Sequence, residues 1–301
     1  MQAIITELSE RLLGSYADFG GINHLDGANL PSKRTVALLT QDLLQLLFPG
    51  FFDEKLLHSS ELRSETEKLV KVALQKLEME IAKSMESREP AKSKRDFRSA
   101  ARNHAVELIG SLPRIRELLQ TDAEAAYNGD PAALSPEEVI LAYPFMEAIA
   151  VQRVAHELYK REIPFLPRMM TEWAHARTGM DMHPGARIGT HFFVDHCTGT
   201  VIGETCELGN HVKMYQGVGL VARSLSAGQQ LRGTKRHPTI QDRVTIYAGA
   251  TIMGGDTVVG EGSTIGANVF LTGSVPPYSL VVQETAKVRI LNKKDRRGAA
   301  L

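Results

Sequence analysis

Cysteine is scarce in this 301-residue chain, tryptophan occurs once, and neither sign of charge is in excess. Two cysteines exclude a disulfide-stapled scaffold. Cys197 and Cys206 also lack the Cys-x2-4-Cys spacing of a zinc site, so both read as small buried side chains. Lys plus Arg and Asp plus Glu each total 35, so no global field selects nucleic acid, and an anionic ligand must be met by a local patch. No long apolar run is present, and MQAIITELSER carries acid and base from the start. That argues against a signal peptide or membrane span and leads us to expect a cytoplasmic protein. No G-x-G-x-x-G follows a strand and no P-loop occurs, so no nucleotide-binding fingerprint is available.

Hydrophobic content of 43% and charged content of 23% are those of an ordinary globular protein, long enough for about two domains. Residues 1–179 read as a helical N-terminal domain. Leu8, Leu12 and Leu13 share one face of a first segment, and the stretch from Val36 to Leu47 forms a second, stopped near Pro49-Gly50. From Ser60 to about Lys83 the expected buried stripe is Leu62, Leu69, Val72, Leu74 and Leu77. The charge-dense ESREPAKSKRDFR around Pro90 reads as a solvated linker, since no aromatics interleave it. A helix is expected from Phe97 to Leu119, interrupted or bent at Pro113. Ser135-Pro136-Glu137-Glu138 is a helix start with a capping serine, and its helix should run to about Lys160. A further segment around Arg168–Arg177 leads to Gly179.

Composition then changes: of 25 glycines, 16 lie between Gly185 and Gly273. Aliphatic residues recur every sixth position at Ile188 and Val194, then Ile202, Leu208, Met214 and Leu220, and again at Ile240, Ile246 and Ile252, then Val259, Ile265 and Leu271. The phase slips by two near Thr200 and by one near Val258. A period of six fits neither a helix nor a hairpin; it is the hexapeptide signature of a parallel β-helix over residues 180–290. Residues 221–239 break the repeat and must leave the stack as a loop, carrying Arg232, Lys235, Arg236 and His237. Residues 291–301 form a C-terminal tail.

Within the repeat, D-x-H-P-G-A-x-I-G from Asp181, D-H-x-T-G-x-V-I-G-E-T from Asp195 and R-H-P-x-I from Arg236 stand in order. These motifs resemble the serine O-acetyltransferase family, over roughly Asp130 to Ile290. The resemblance implies an α+β chain in which the β-helix is left-handed and follows an N-terminal α-helical domain. It implies transfer of acetyl from acetyl-CoA to the L-serine hydroxyl, giving O-acetyl-L-serine and CoA in the first step of cysteine synthesis. Such a transfer needs a base for the alcohol proton. The resemblance assigns that role to His196 and gives it Asp181 as carboxylate partner. The amino acid's carboxylate calls for Arg236 and His237, and its ammonium for Asp195 and Asp130. Glu204 is expected to orient His237 or the serine pocket, and His183 to hold the first coil.

The resemblance places the pantetheine arm of acetyl-CoA between subunits near Ala248 and Gly249, with Lys287 or Arg289 meeting its phosphates. No metal is expected. It also implies a homotrimer or dimer of trimers, and feedback inhibition by L-cysteine. The family's C-terminal contact with O-acetylserine sulfhydrylase is expected to be weak or absent here, because the tail ends DRRGAAL. Alternatives on the same fold are transfer to homoserine or a sugar, a non-catalytic scaffold, or a γ-class carbonic anhydrase-like zinc enzyme. The last would need three histidines, drawn from His191, His196, His211 and His237.

Overall fold

The computed structural model describes residues 1–52, 56–88, 96–224 and 226–284. Among the described residues seven α-helices come first: α1 (Gln2–Asp18), α2 (Lys33–Leu47), α3 (Leu62–Glu86), α4 (Arg98–Gly129), α5 (Pro136–Ala142), α6 (Pro144–Lys160) and α7 (Leu166–Thr178). None is long and apolar enough to cross a membrane. The Leu8, Leu12 and Leu13 face of α1 forms as expected but is exposed. On α3 the expected stripe is met only in part: Leu77 is inside as expected, together with Ala73 and Ile81, whereas Leu62 and Val72 are exposed.

Two helix boundaries differ from the sequence expectation. Helix α4 runs through Pro113 without a stop, because Leu108, Leu112, Ile115, Leu119 and Ala126 keep one continuous face in the core. The helix opened by Ser135 ends early. Its cap is as expected, with Ser135 Oγ accepting from the Glu138 N–H at 3.2 Å. Tyr143, however, precedes Pro144 and is held extended at φ −83°, ψ 121°, which divides α5 from α6.

After Gly179 the chain winds through three parallel sheets. Face one stacks β1 (Asp181–Met182), β4 (Val201–Ile202), β7 (Gly219–Val221), β10 (Thr251–Met253) and β13 (Phe270–Leu271). Face two stacks β2 (Arg187–Ile188), β5 (Glu207–Leu208), β8 (Thr239–Ile240) and β11 (Val258–Val259). Face three stacks β3 (Phe193–Val194), β6 (Lys213–Met214), β9 (Thr245–Ile246), β12 (Thr264–Ile265) and β14 (Leu280–Val281). The result is a left-handed parallel β-helix. The six-residue aliphatic series fills its axis: Met182, Ile202, Leu220 and Ile252 from face one meet Leu208, Ile240 and Val259 from face two and Val194, Met214, Ile246 and Ile265 from face three, all buried.

Each coil turns its corner between faces three and one on a left-handed residue, Gly199, Gly217 and Gly249 in successive coils, with φ of 71–74°. A Cβ on Gly217 would meet the Gly249 Cα at 3.5 Å, an ordinary contact, so what favours glycine at these corners is the left-handed backbone. Between Val221 and Thr239 the loop crosses the corner between faces one and two. Both cysteines are buried, as expected.

The helices cover the open end of the first coil. Arg153 of α6 pairs with Asp122 of α4 at 2.7 and 2.9 Å, both side chains buried. The same guanidinium donates to the carbonyls of Ile188 at 3.2 Å and Gly189 at 2.8 Å, and Asp122 accepts from the Phe192 N–H at 3.1 Å. Backbone groups that no further coil could pair are thereby satisfied, and the helical part is fixed against the strands that carry the site.

Candidate active site

The two-residue phase slip near Thr200 is a bulged corner. Between β3 and β4 the chain carries Asp195, His196, Cys197, Thr198, Gly199 and Thr200, with left-handed φ at His196 (60°) and Cys197 (57°). Such backbone at non-glycine residues costs of order 1–3 kcal/mol each and recurs at functional positions. Short hydrogen-bonded turns hold it: Cys197 N–H to Asp195 O at 2.8 Å and Thr200 N–H to Cys197 O at 3.0 Å. The bulge pushes the His196 side chain outward, where it is 67% exposed, while that of Asp195 is 14% exposed. His196 Nδ1 lies 3.6 Å from Asp195 Oδ1, an ion-pair distance and not a hydrogen bond.

Asp130 joins this corner from the helical part, at the residue that ends α4. Its Oδ1 accepts from the Ala132 N–H at 2.8 Å and its Oδ2 from the Tyr143 hydroxyl at 2.5 Å. The Tyr143 bond, then that of Ala132, holds the carboxyl below the usual range, with His196 and Lys213 adding their fields. In return Tyr143 is pushed up to about 12, so it remains a donor. Lys213 Nζ donates to the Gly129 carbonyl at 2.5 Å and lies over the Tyr215 ring, fixing the end of α4 to β6. Neither Tyr143 nor Lys213 was singled out from the sequence. The Tyr143-Pro144 break is the one sequence feature that would have pointed to the first.

The cationic residues gather at another corner, between faces one and two. Glu204 accepts from the Tyr159 hydroxyl at 2.5 Å on Oε1 and from the Arg236 guanidinium on Oε2. Burial pushes the Glu204 carboxyl up, but these two hydrogen bonds together with the fields of His183 and Arg236 keep the group below its ordinary value. Glu204 therefore orients Arg236. His237 is oriented instead by Thr205, whose hydroxyl lies 2.9 Å and whose N–H lies 3.2 Å from Nδ1. The Thr205 hydroxyl oxygen also accepts the N–H groups of Arg236 (2.9 Å) and His237 (3.0 Å). With Nδ1 accepting, the ring's proton sits on Nε2. Desolvation, then the neighbouring Arg236, pushes His237 down to about 4, so it is a neutral donor at neutral pH. The ring packs on Gly203, where a Cβ would come within 2.0 Å of it; that glycine is required by close approach.

His183 closes its own H-P-G turn, with Nδ1 accepting from the Gly185 N–H at 3.0 Å; burial first of all pushes it down to about 4. Asp181 is on the outward row of face one, and its Oδ1 is 3.6 Å from the Arg168 guanidinium. The carboxylate at ion-pair distance from His196 in this chain is Asp195, whereas Asp181 faces Arg168 of α7. Ala248 and Gly249 turn the corner two coils along from His196, beside the stacked rings of Tyr215 and Tyr247 (5.1 Å, 8°). Lys287 and Arg289 lie outside the described residues, as does the C-terminal tail.

Burial, then the charge of Asp195, pushes the Cys197 thiol up to about 12, and burial does the same for Cys206. Neither supplies a thiolate nucleophile. The histidines invoked for a zinc site do not converge in one chain. His191 and His211 stack on each other at 4.1 Å on the corner between faces two and three, whereas His196 and His237 occupy the two other corners.

No family model matches the chain. It is 42% identical over 277 residues to the plasmid serine acetyltransferase of Synechococcus elongatus, covering 89% of this chain and 86% of that protein. Among solved structures it is similar to serine acetyltransferase isoform 3 of Entamoeba histolytica in complex with cysteine (31% identity, TM-score 0.74, 98% of this chain and 97% of that one). It is also similar to the Neisseria gonorrhoeae serine acetyltransferase in complex with serine (26% identity, TM-score 0.55, 88% and 100%). A hexapeptide β-helix with a histidine raised on a bulged corner, an acidic helix end beside it and identity of this extent along most of both chains lead to one assignment: the chain belongs to the serine acetyltransferase family.

Proposed function

We propose that the chain transfers the acetyl group of acetyl-CoA to the hydroxyl of L-serine, with His196 as general base. The observation that carries this is the His196 corner: an exposed imidazole on a rigid coil, with Asp195 beside it and Asp130 presented by the helices. His196 takes the hydroxyl proton as the serine oxygen attacks the thioester carbonyl. The tetrahedral adduct then collapses, the C–S bond breaks, and the imidazolium returns the proton to the CoA sulfur. Such a base contributes roughly 10²–10⁴-fold. Both thiols being un-ionised supports direct transfer with no acyl-enzyme.

Asp195 and Asp130 form an acidic pocket suited to the ammonium of serine. Arg236 and neutral His237 suit its carboxylate, the first by charge and the second by its Nε2–H. Asp181 is the partner of the imidazole: the 3.6 Å contact with Asp195 leaves His196 Nδ1 without a hydrogen bond from that group, and Asp181 is on the adjoining face. The pantetheine arm follows the glycine corners through Ala248 and Gly249, where small residues leave the backbone accessible.

Face one separates the His196 corner from the Arg236 corner in one chain, so a complete site needs two copies. Contact between two different surfaces of identical chains forms a ring when the rotation between copies closes, as a threefold rotation does. A homotrimer is the assembly we propose, singly or as a dimer of trimers. L-cysteine differs from serine in one atom and would compete for the same pocket. The test of the reading is CoA release with serine as acceptor, compared with homoserine and a sugar; turnover of either of those in preference to serine would overturn it.

A further inference from the structure

We propose that Tyr159 is a positioning residue for substrate binding: through Glu204 it sets the orientation of the Arg236 guanidinium and so makes affinity for serine depend on helix α6. The inference rests on the reading of Arg236 as the group that meets the serine carboxylate.

Tyr159 sits in the last turn of α6, forty-five residues before its partner. Its hydroxyl takes one oxygen of Glu204 at 2.5 Å and Arg236 takes the other, so a single carboxylate is gripped from both sides. The side chains of Glu204 and Arg236 are only 24% and 20% exposed, so water substitutes poorly for a lost partner. Arg236 is otherwise held from the side of the loop: its backbone N–H is on Thr205 Oγ1, and Nη1 reaches the Thr234 carbonyl at 3.4 Å. With the tyrosine hydroxyl gone, one oxygen of Glu204 is released and its side chain regains rotational freedom. The guanidinium then loses a fixed counter-charge, which loosens the substrate geometry.

Burial, then the bond to Glu204, pushes the Tyr159 hydroxyl up to about 12, so it donates across the neutral range. Its ring meets His183 edge-on at 5.7 Å, a contact that phenylalanine preserves. Tyr159→Phe therefore removes the hydroxyl with little disturbance of packing.

The test is steady-state kinetics of the full-length protein with L-serine and with L-serinamide, which has no carboxylate. For Tyr159→Phe the expected result is a rise of about five- to tenfold in KM for serine, with kcat within about twofold and KM for acetyl-CoA unchanged. The penalty should vanish with serinamide. It should also vanish when Tyr159→Phe is added to Glu204→Gln, since the relay is already broken. Should Tyr159→Phe fail to fold, Glu204→Gln alone carries the test, with a penalty on serine and none on serinamide. An unchanged KM for serine, or an equal penalty on both acceptors, overturns the proposal. Failure of the wild-type protein to acetylate serine would instead overturn the functional reading.

Discussion

In one chain His196 and Arg236 occupy different corners of the β-helix, His196 after face three and Arg236 before face two, with face one between them. On the proposed reading, a serine held by both groups touches two copies. This relationship yields a complementation test. His196→Ala and Arg236→Ala should each be nearly inactive alone. Co-expressed and co-assembled, they should regain about a quarter of wild-type activity, because random mixing pairs an intact His196 with an intact Arg236 at that frequency. The measurement is specific activity of the purified mixed oligomer; an absence of recovery in verified mixed oligomers would place both groups in one chain's site.

The carboxylates should separate kinetically. Asp130→Asn and Asp195→Asn remove charge from the ammonium pocket and should raise KM for serine by about ten- to a hundredfold. Asp181→Asn should act mainly on kcat, by about a hundredfold, through the tautomer and stability of the imidazolium. The readout is the split between kcat and KM for each variant.

The Thr205 hydroxyl organises the cationic corner, bonding His237 Nδ1 and accepting two backbone N–H groups. Thr205→Val keeps the shape and deletes these bonds. The expected cost is about 1–3 kcal/mol of stability, together with a raised KM for serine, measured by urea unfolding and by steady-state kinetics.

Much of this corner was legible in the sequence, and part was not. The repeat spacing located the axis residues, and the slip near Thr200 marked the bulge that lifts His196, because any extra residue in a stacked coil has to leave the stack. R-H-P marked Arg236 and His237. G-E-T marked Glu204 as an orienting group for this pocket, but the partners Tyr159 and Thr205 were invisible. Tyr159 reaches Glu204 across forty-five residues and Thr205 reaches His237 across thirty-two, contacts that no local pattern encodes. The division of α5 from α6 at Tyr143 was readable from Pro144. Its consequence, a tyrosine hydroxyl placed on Asp130, was not.

Acid should weaken the fold through two imidazoles, His237 buried and His183 half-buried. His183 and His237 are both pushed down to about 4, below the ordinary 6.5 of an accessible histidine. The unfolded chain takes up these protons first as pH falls. The stability they contribute is complete above about 6.5, declines between 6.5 and about 4, and is lost below that. Urea midpoints should fall across this window, and less steeply in His183→Asn and His237→Asn than in the wild-type protein. Parallel curves for all three would refute the assignment.

The central claim is that one imidazole removes the serine proton. The direct measurement is kcat for CoA release with L-serine as acceptor, comparing the wild-type protein with His196→Ala and checking assembly by light scattering. The account predicts a loss of at least about 10²-fold with the oligomer unchanged. Near-normal turnover by the variant would contradict it.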